Sequence, residues 1–168
     1  MLESIKKIIA GTLFMGWFNM KDDFVQDAEE KETLLPFKLL AVVQEADVPN
    51  KNNRIYPKLV LDQQVERLQE PVRNRSLFGE LGIPTESVVH LDKASHLVTD
   101  LYMSDNKLMA EIEVLDSPLG AQLRSLLSAG VSIGFRMSGL GEGKLDQYGN
   151  FVLDSYNLVQ IFACSDPA

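Results

Sequence analysis

The amino-acid sequence predicts an α+β fold, a largely antiparallel β-sheet or barrel with flanking helices. Three observations carry this expectation. Segments with strand-like alternation outnumber segments with helical spacing. Two adjoining strand-like runs are separated by only a few turn residues, which an antiparallel hairpin allows and a parallel crossover does not. Strands and helices do not alternate in the regular βαβ order of a parallel sheet.

The chain opens with "MLESIKKIIAGTLFMGWF", in which Ile5, Ile8, Ile9, Leu13 and Trp17 recur at helical spacing. The apolar run from Ile8 to Phe18 is too short to span a bilayer. It resembles the first two parts of a secretory signal, but "NMKDDF" follows where a small-x-small cleavage site would stand. An amphipathic helix is expected. Two readings remain open: a helix docked on its own domain, or an anchor for a partner through Ile5, Ile9, Leu13 and Trp17. "KDDFVQDAEEKE" (21–32), with six acids and two lysines, reads as a solvated linker or exposed helix. The helix and acidic linker thus occupy 1–32, and the folded domain 33–168.

Within the domain, "PFKLLAVVQEADV" reads as a strand bounded by Pro36 and Pro49. "YPKLVLDQQVERLQEPV" follows as a helix with Leu59, Val60, Val65 and Leu68 as its inward stripe. "SHLVTDLYMSDNKLMAEIEVL" reads as a hairpin. Leu97, Thr99, Leu101 and Met103 alternate before the turn, Leu108, Ala110, Ile112 and Val114 after it, and Asp105-Asn106 supplies the turn chemistry. In "DSPLGAQLRSLLSAG", Ser117 caps a short helix, Pro118 takes its first position and Gly130 ends it. Leu126 is expected in the core. "AGVSIGFRMSGLGEG" (129–143), with five glycines, reads as a loop, and a strand pair is expected around "NFVLDSYNLVQIFA".

The 168 residues suit one domain with a real core. A net charge of −8 argues against nucleic acid as the main partner, because phosphate contacts need clustered Lys and Arg. Lys6 and Lys7 are too few basic residues to make a polar face for anionic lipid, so no membrane partner is expected. The single cysteine, Cys164, excludes an internal disulfide and fits a buried thiol in a reducing compartment. His90 and His96 lack zinc spacing, and His96 falls in a strand pattern as a structural histidine. "GLGEG" lacks the phosphate-binding signature, so no cofactor and no metal are expected. Ser132 and Ser138 are the hydroxyls nearest the glycine-rich segment.

Five blocks then stand in order: "NKNNRIYPK" (50–58), "GELGIP" (79–84), "LDKASHLVTDLY" (91–102), "DSPLGAQLRSLLSAGV" (116–131) and "SGLG" (138–141). Together they resemble the prohead core (capsid-maturation) serine proteases of tailed bacteriophages, relatives in fold of the herpesvirus assemblins. The resemblance covers roughly residues 36 to 168 and implies a prohead-protease-like fold. It also implies three catalytic parts: a histidine base in a G-E-L-x-H-P block, a serine nucleophile in a G-V-S-S-R-G-L-G segment, and an aspartate in the last strand. Here Ile83 stands at the histidine position, Arg136 and Met137 replace both serines, and Phe162 stands where the aspartate would be. Proteolysis of this kind needs a hydroxyl, a base and a group that orients the base.

Three functions follow as expectations. The first is a catalytically inactive homologue acting as a structural or assembly component of the virion or prohead. It would form homo-oligomers, contact other phage virion or prohead proteins, and reside in the virion or, during assembly, in the host cytoplasm. The second is an active serine protease using displaced residues, Ser138 or Ser132 with His90. The third is a regulator that binds an active sister protease or its substrate through the retained cleft. For Arg136, in the old nucleophile position, three readings stay open: it fills the cleft, it binds an acidic partner, or it is a solvent-facing arginine.

Overall fold

The computed structural model describes residues 36–165. The expected amino-terminal helix with Ile5, Ile9, Leu13 and Trp17, and the acidic linker, fall outside the described residues.

The described elements are β1 (Phe37–Glu45), β2 (Arg54–Ile55), α1 (Lys58–Arg73), β3 (Phe78–Glu80), β4 (Ala94–Ser104), β5 (Lys107–Val114), α2 (Pro118–Ser128), β6 (Gly134–Leu145) and β7 (Phe151–Cys164). One sheet has the order β1-β5-β4-β3 and is antiparallel throughout. The other has the order β2-β7-β6, with β6 and β7 antiparallel and the short β2 parallel to β7. The sheets meet where Leu81 bridges Ala163 and the Gly82 N–H donates to the Ala163 carbonyl at 2.8 Å. Leu61, Val98, Leu101, Leu108, Ile112, Leu123, Leu158 and Ile161 form the buried centre.

Helix α1 fastens the two sheets to each other. Its buried Gln64 accepts the Leu158 N–H at 3.1 Å, Arg67 donates to the Leu158 carbonyl at 2.7 Å, and Gln69 donates to the Leu101 carbonyl at 3.0 Å. Its inward face is Val60, Leu61, Gln64, Leu68 and Val72. Leu59, expected inside, is 68% exposed, and Val65 is only half-buried. The buried face is rotated toward Leu61 and Val72, and a glutamine takes a core position because it serves backbone groups of β7.

The β4–β5 hairpin forms as expected, with Asp105 at φ 52° in the turn. All four alternating residues of β5 are buried. On β4 the expected alternation fails at Thr99. A bulge between Val98 and Asp100 makes Thr99 the extra residue, so Val98 is buried and Thr99 instead hydrogen-bonds Glu111.

Helix α2 starts as expected, with the Ser117 Oγ accepting the Gly120 N–H at 3.0 Å. It ends in a Schellman turn: Gly130, at φ 78°, donates to the Leu127 carbonyl, and Val131 donates to that of Leu126. The helix buries Leu123 rather than Leu126, which is half-buried.

The glycine-rich segment is the largest departure. From Gly134 it is not a loop but the twelve-residue strand β6, and "NFVLDSYNLVQIFA" forms its single partner β7 rather than a strand pair. The glycines answer a close approach. A Cβ on Gly139 would lie 2.2 Å from the Asn157 carbonyl oxygen and 2.9 Å from the Tyr156 ring.

Candidate functional site

The first residues of β6 place Arg136 opposite Phe162 of β7, with Met137 opposite Ile161 and Ser138 opposite Gln160. Arg136, Met137 and Phe162 line a cleft of about 80 Å³. Ile83 does not line it. It follows the Leu81–Ala163 bridge by two residues, at the same end of β7 as Phe162, and is 75% exposed. The structure therefore brings Arg136, Met137 and Phe162 together and leaves Ile83 on the adjoining surface. Phe162 is buried at 7% exposure and Arg136 is half-buried.

The far wall of the cleft comes from Gln44, Asn50, Asn52, Arg54 and Tyr56. The Asn50 Oδ1 accepts the N–H groups of Asn52 at 2.9 Å and Arg54 at 3.1 Å, which fixes the turn that presents these side chains. Residue-by-residue reading missed this wall. Its signal was present in the block "NKNNRIYPK", where asparagines cluster beside an arginine. Arg54 and Arg136 thus border one small cleft.

His90 and the serines do not assemble. The His90 ring lies 3.3 Å from the Glu86 carboxylate without hydrogen-bond geometry, and the backbone N–H of His90 donates to the buried Glu80 carboxylate at 2.8 Å. Ser132 is exposed and Ser138 half-buried. Among the described residues no hydrogen bond joins either to His90.

A serine–histidine contact does exist deeper in. The Ser95 hydroxyl donates to Nδ1 of His96 at 2.8 Å, and Nε2–H of His96 donates to the Ile161 carbonyl at 2.8 Å. The carbonyl can only accept, so the proton resides on Nε2. Burial holds the imidazole neutral, down to about 4, against the weaker opposing effect of the Ile161 carbonyl. Both residues are 0% exposed, so no substrate reaches them. His96 also stands edge-on to Phe135, with ring centroids 5.2 Å apart, and acts as the structural histidine its strand position suggested.

Between this interior and the cleft lies Gln160, fully buried. Its Oε1 accepts the Glu80 N–H at 3.1 Å, while its Nε2 has no hydrogen-bond partner among the described residues. Among those residues no group of three or more His, Cys, Asp or Glu side chains could hold a metal ion. No described helix is long and apolar enough to cross a membrane.

Comparison with known proteins matches this arrangement to one family. The sequence profile of the prohead core protein serine proteases matches residues 20–163. The prohead core protein protease of Enterobacteria phage T4 is 29% identical over 103 residues, which cover 60% of this chain and 49% of the relative. The chain spans about half the length of that curated relative. The solved structure of the bacteriophage T4 capsid assembly protease superposes with a TM-score of 0.71 at 25% identity, covering 75% of this chain and 79% of the other. The antiparallel sheets with two flanking helices are the fold of that protease. The chain belongs to the prohead core protein serine protease family.

Proposed function

We propose that this chain is a non-cleaving member of its family, acting as a structural or assembly component of the phage prohead or virion. One observation carries the reading. Ile83, Arg136 and Phe162 occupy the sequence positions at which the family resemblance implies base, nucleophile and orienting group. An isoleucine and a phenylalanine move no proton, and a guanidinium does not attack a carbonyl. In a serine protease, losing any triad member costs several orders of magnitude in rate. The pairing of Arg136 with Phe162 across β6 and β7 supports a shared origin for two of the three replacements at one spot.

On this reading the cleft is a binding site. Arg54 and Arg136, among amide side chains, suit a carboxylate on another prohead or virion chain, including a sister protease. The segment with Ile5, Ile9, Leu13 and Trp17 is a second contact, docking on a neighbouring subunit or on another copy of the chain. A stretch so apolar marks an interaction surface.

A serine-directed fluorophosphonate probe should leave the full chain unlabelled, and mass spectrometry of purified virions should find the chain intact and abundant. Specific labelling of Ser132 or Ser138 would overturn the reading in favour of a protease with displaced residues. Deleting residues 1–20 should leave the remaining chain folded but lower its sedimentation coefficient and its incorporation into particles. Unchanged assembly would remove the second contact.

A further inference from the structure

The cleft bordered by Arg54 and Arg136 is set apart by its charge. The chain as a whole carries a net charge of −8, yet two arginines and no aspartate or glutamate line this cleft. Both arginines stand on fixed backbone. Arg136 lies in the β6–β7 ladder opposite Phe162. Arg54 closes a turn in which its carbonyl accepts the Asn50 N–H at 2.9 Å and its own N–H donates to the Asn50 Oδ1 at 3.1 Å. Arg54 is exposed and Arg136 half-buried, so a solute can reach the cleft from water. The phenol of Tyr156 does not neutralise Arg54. Burial raises its pKa above the ordinary 10, against the smaller opposing effect of the Arg54 charge, and the hydroxyl keeps its proton at neutral pH.

Two guanidinium groups with amide side chains between them suit a planar oxyanion, which each arginine can meet with a pair of N–H donors. The volume, about 80 Å³, limits the visitor to a carboxylate and the atoms next to it. The kind of carboxylate follows from where Arg136 stands. In serine proteolysis the acyl carbon of the cut bond passes through the nucleophile and leaves as the α-carboxylate of the product. An uncut chain has an uncharged amide at that place. A guanidinium in the nucleophile position therefore meets a charge in a cut chain and none in an uncut one.

We propose that the cleft binds the free C-terminal α-carboxylate of a peptide, with Arg54 and Arg136 pairing to its oxygens. The chain thus holds the ends of cut polypeptides and passes over intact ones, the reverse of what a protease site selects. The preference for a cut end rests on the non-cleaving reading, which sets Arg136 in the nucleophile position, whereas the anion site itself stands on the two arginines and the absence of acids around them.

The test uses the full chain and a bead-displayed library of random peptides with free C termini. Enriched sequences, resynthesised as the acid and as the C-terminal amide, should bind saturably as the acid and at least about tenfold more weakly as the amide. A similar loss is expected with Arg136→Gln and, in an exposed turn where folding is not at stake, with Arg54→Gln. No enrichment above blank beads, equal binding of acid and amide, or binding that neither variant weakens overturns the proposal. So does competition by acetate at the same concentration as the peptide acid, since the cleft then takes any small carboxylate. Amides that bind as well as acids only when they carry an internal Asp or Glu would make a side-chain carboxylate the ligand, and would equally overturn it. Cleavage of the amidated peptides, or fluorophosphonate labelling, would sink the non-cleaving reading, while the acid-over-amide ratio would still decide the carboxylate site by itself.

Discussion

The interior around His96 and the cleft around Arg136 both draw on residues of β6 and β7, yet they obey different rules. Around His96 each side chain is set by its neighbours: Ser95 and Ile161 hold the ring, Phe135 covers it, and Gly79 leaves room for it. At the cleft end Arg136 is half-buried, and Ile83, on the adjoining surface, is 75% exposed. The fold fixes residue identity only where packing or a buried hydrogen bond demands it.

The largest test of this contrast is Gly79→Ala. The added Cβ would lie 2.0 Å from the Ile161 carbonyl oxygen and 2.2 Å from Nε2 of His96, so either the sheet junction or the histidine must move. We expect a loss of about 3 kcal/mol or more, read as a lower urea midpoint. A loss below about 1 kcal/mol would mean that the interior is looser than its hydrogen bonds imply.

Phe162→Ala comes next. Phe162 lines the cleft, but at 7% exposure it belongs energetically to the interior. Truncation should cost about 3–5 kcal/mol by urea unfolding, as for buried aromatics generally. A near-neutral result would move Phe162 to the other side of the comparison.

The elements that the sequence announced are those whose signals are local. The Ser117 cap, Pro118 and Gly130 each act within one turn of α2, and the four inward residues of β5 keep strict alternation. What stayed hidden depends on partners distant in sequence. Gly139 reads as a loop residue until the Asn157 carbonyl and the Tyr156 ring are beside it, and Thr99 reads as inward until the bulge against β5 is known. The same holds for the cleft. Arg136, Met137 and Phe162 were singled out through neighbouring motifs and line one cleft. Ile83 was singled out with them and does not line it, and Asn50, Asn52 and Arg54 joined the cleft only when their turn was seen facing β6 and β7.

Acid should separate the two regions without any mutation. In the folded chain His96 titrates at about 4, against an ordinary value of 6.5. Its folded pKa is depressed, so the unfolded chain binds the proton first. Stability is complete above pH 6.5, is lost as the pH falls toward 4, and levels off below that. The loss over this window is about 3 kcal/mol. Glu111 and Glu113 are held below their ordinary 4.5, first by hydrogen bonds from Lys38 and Arg75 respectively, so their contributions fade at the acid end of the window and below it. Urea titrations at pH 7, 6 and 5 isolate the histidine, and His96→Gln should flatten the slope. An equal slope in that variant would assign the acid sensitivity to another group.

The smallest expected effect lies at Ile83. Its side chain is 75% exposed, on the surface beyond the Leu81–Ala163 bridge, and no buried hydrogen bond depends on it. Replacing it with the histidine that the family resemblance implies at this position, Ile83→His, should change stability by no more than about 0.5 kcal/mol, as for surface positions generally. The substitution should also leave the chain unlabelled by a fluorophosphonate, because a restored base has no hydroxyl to activate while Arg136 stands opposite Phe162. The two readouts separate scaffold from chemistry. A large stability change would show that position 83 is held by packing, which the exposure contradicts. Labelling of Ser138 in Ile83→His would show that a nucleophile had been waiting for its base, and the cleft would then be one residue short of a protease.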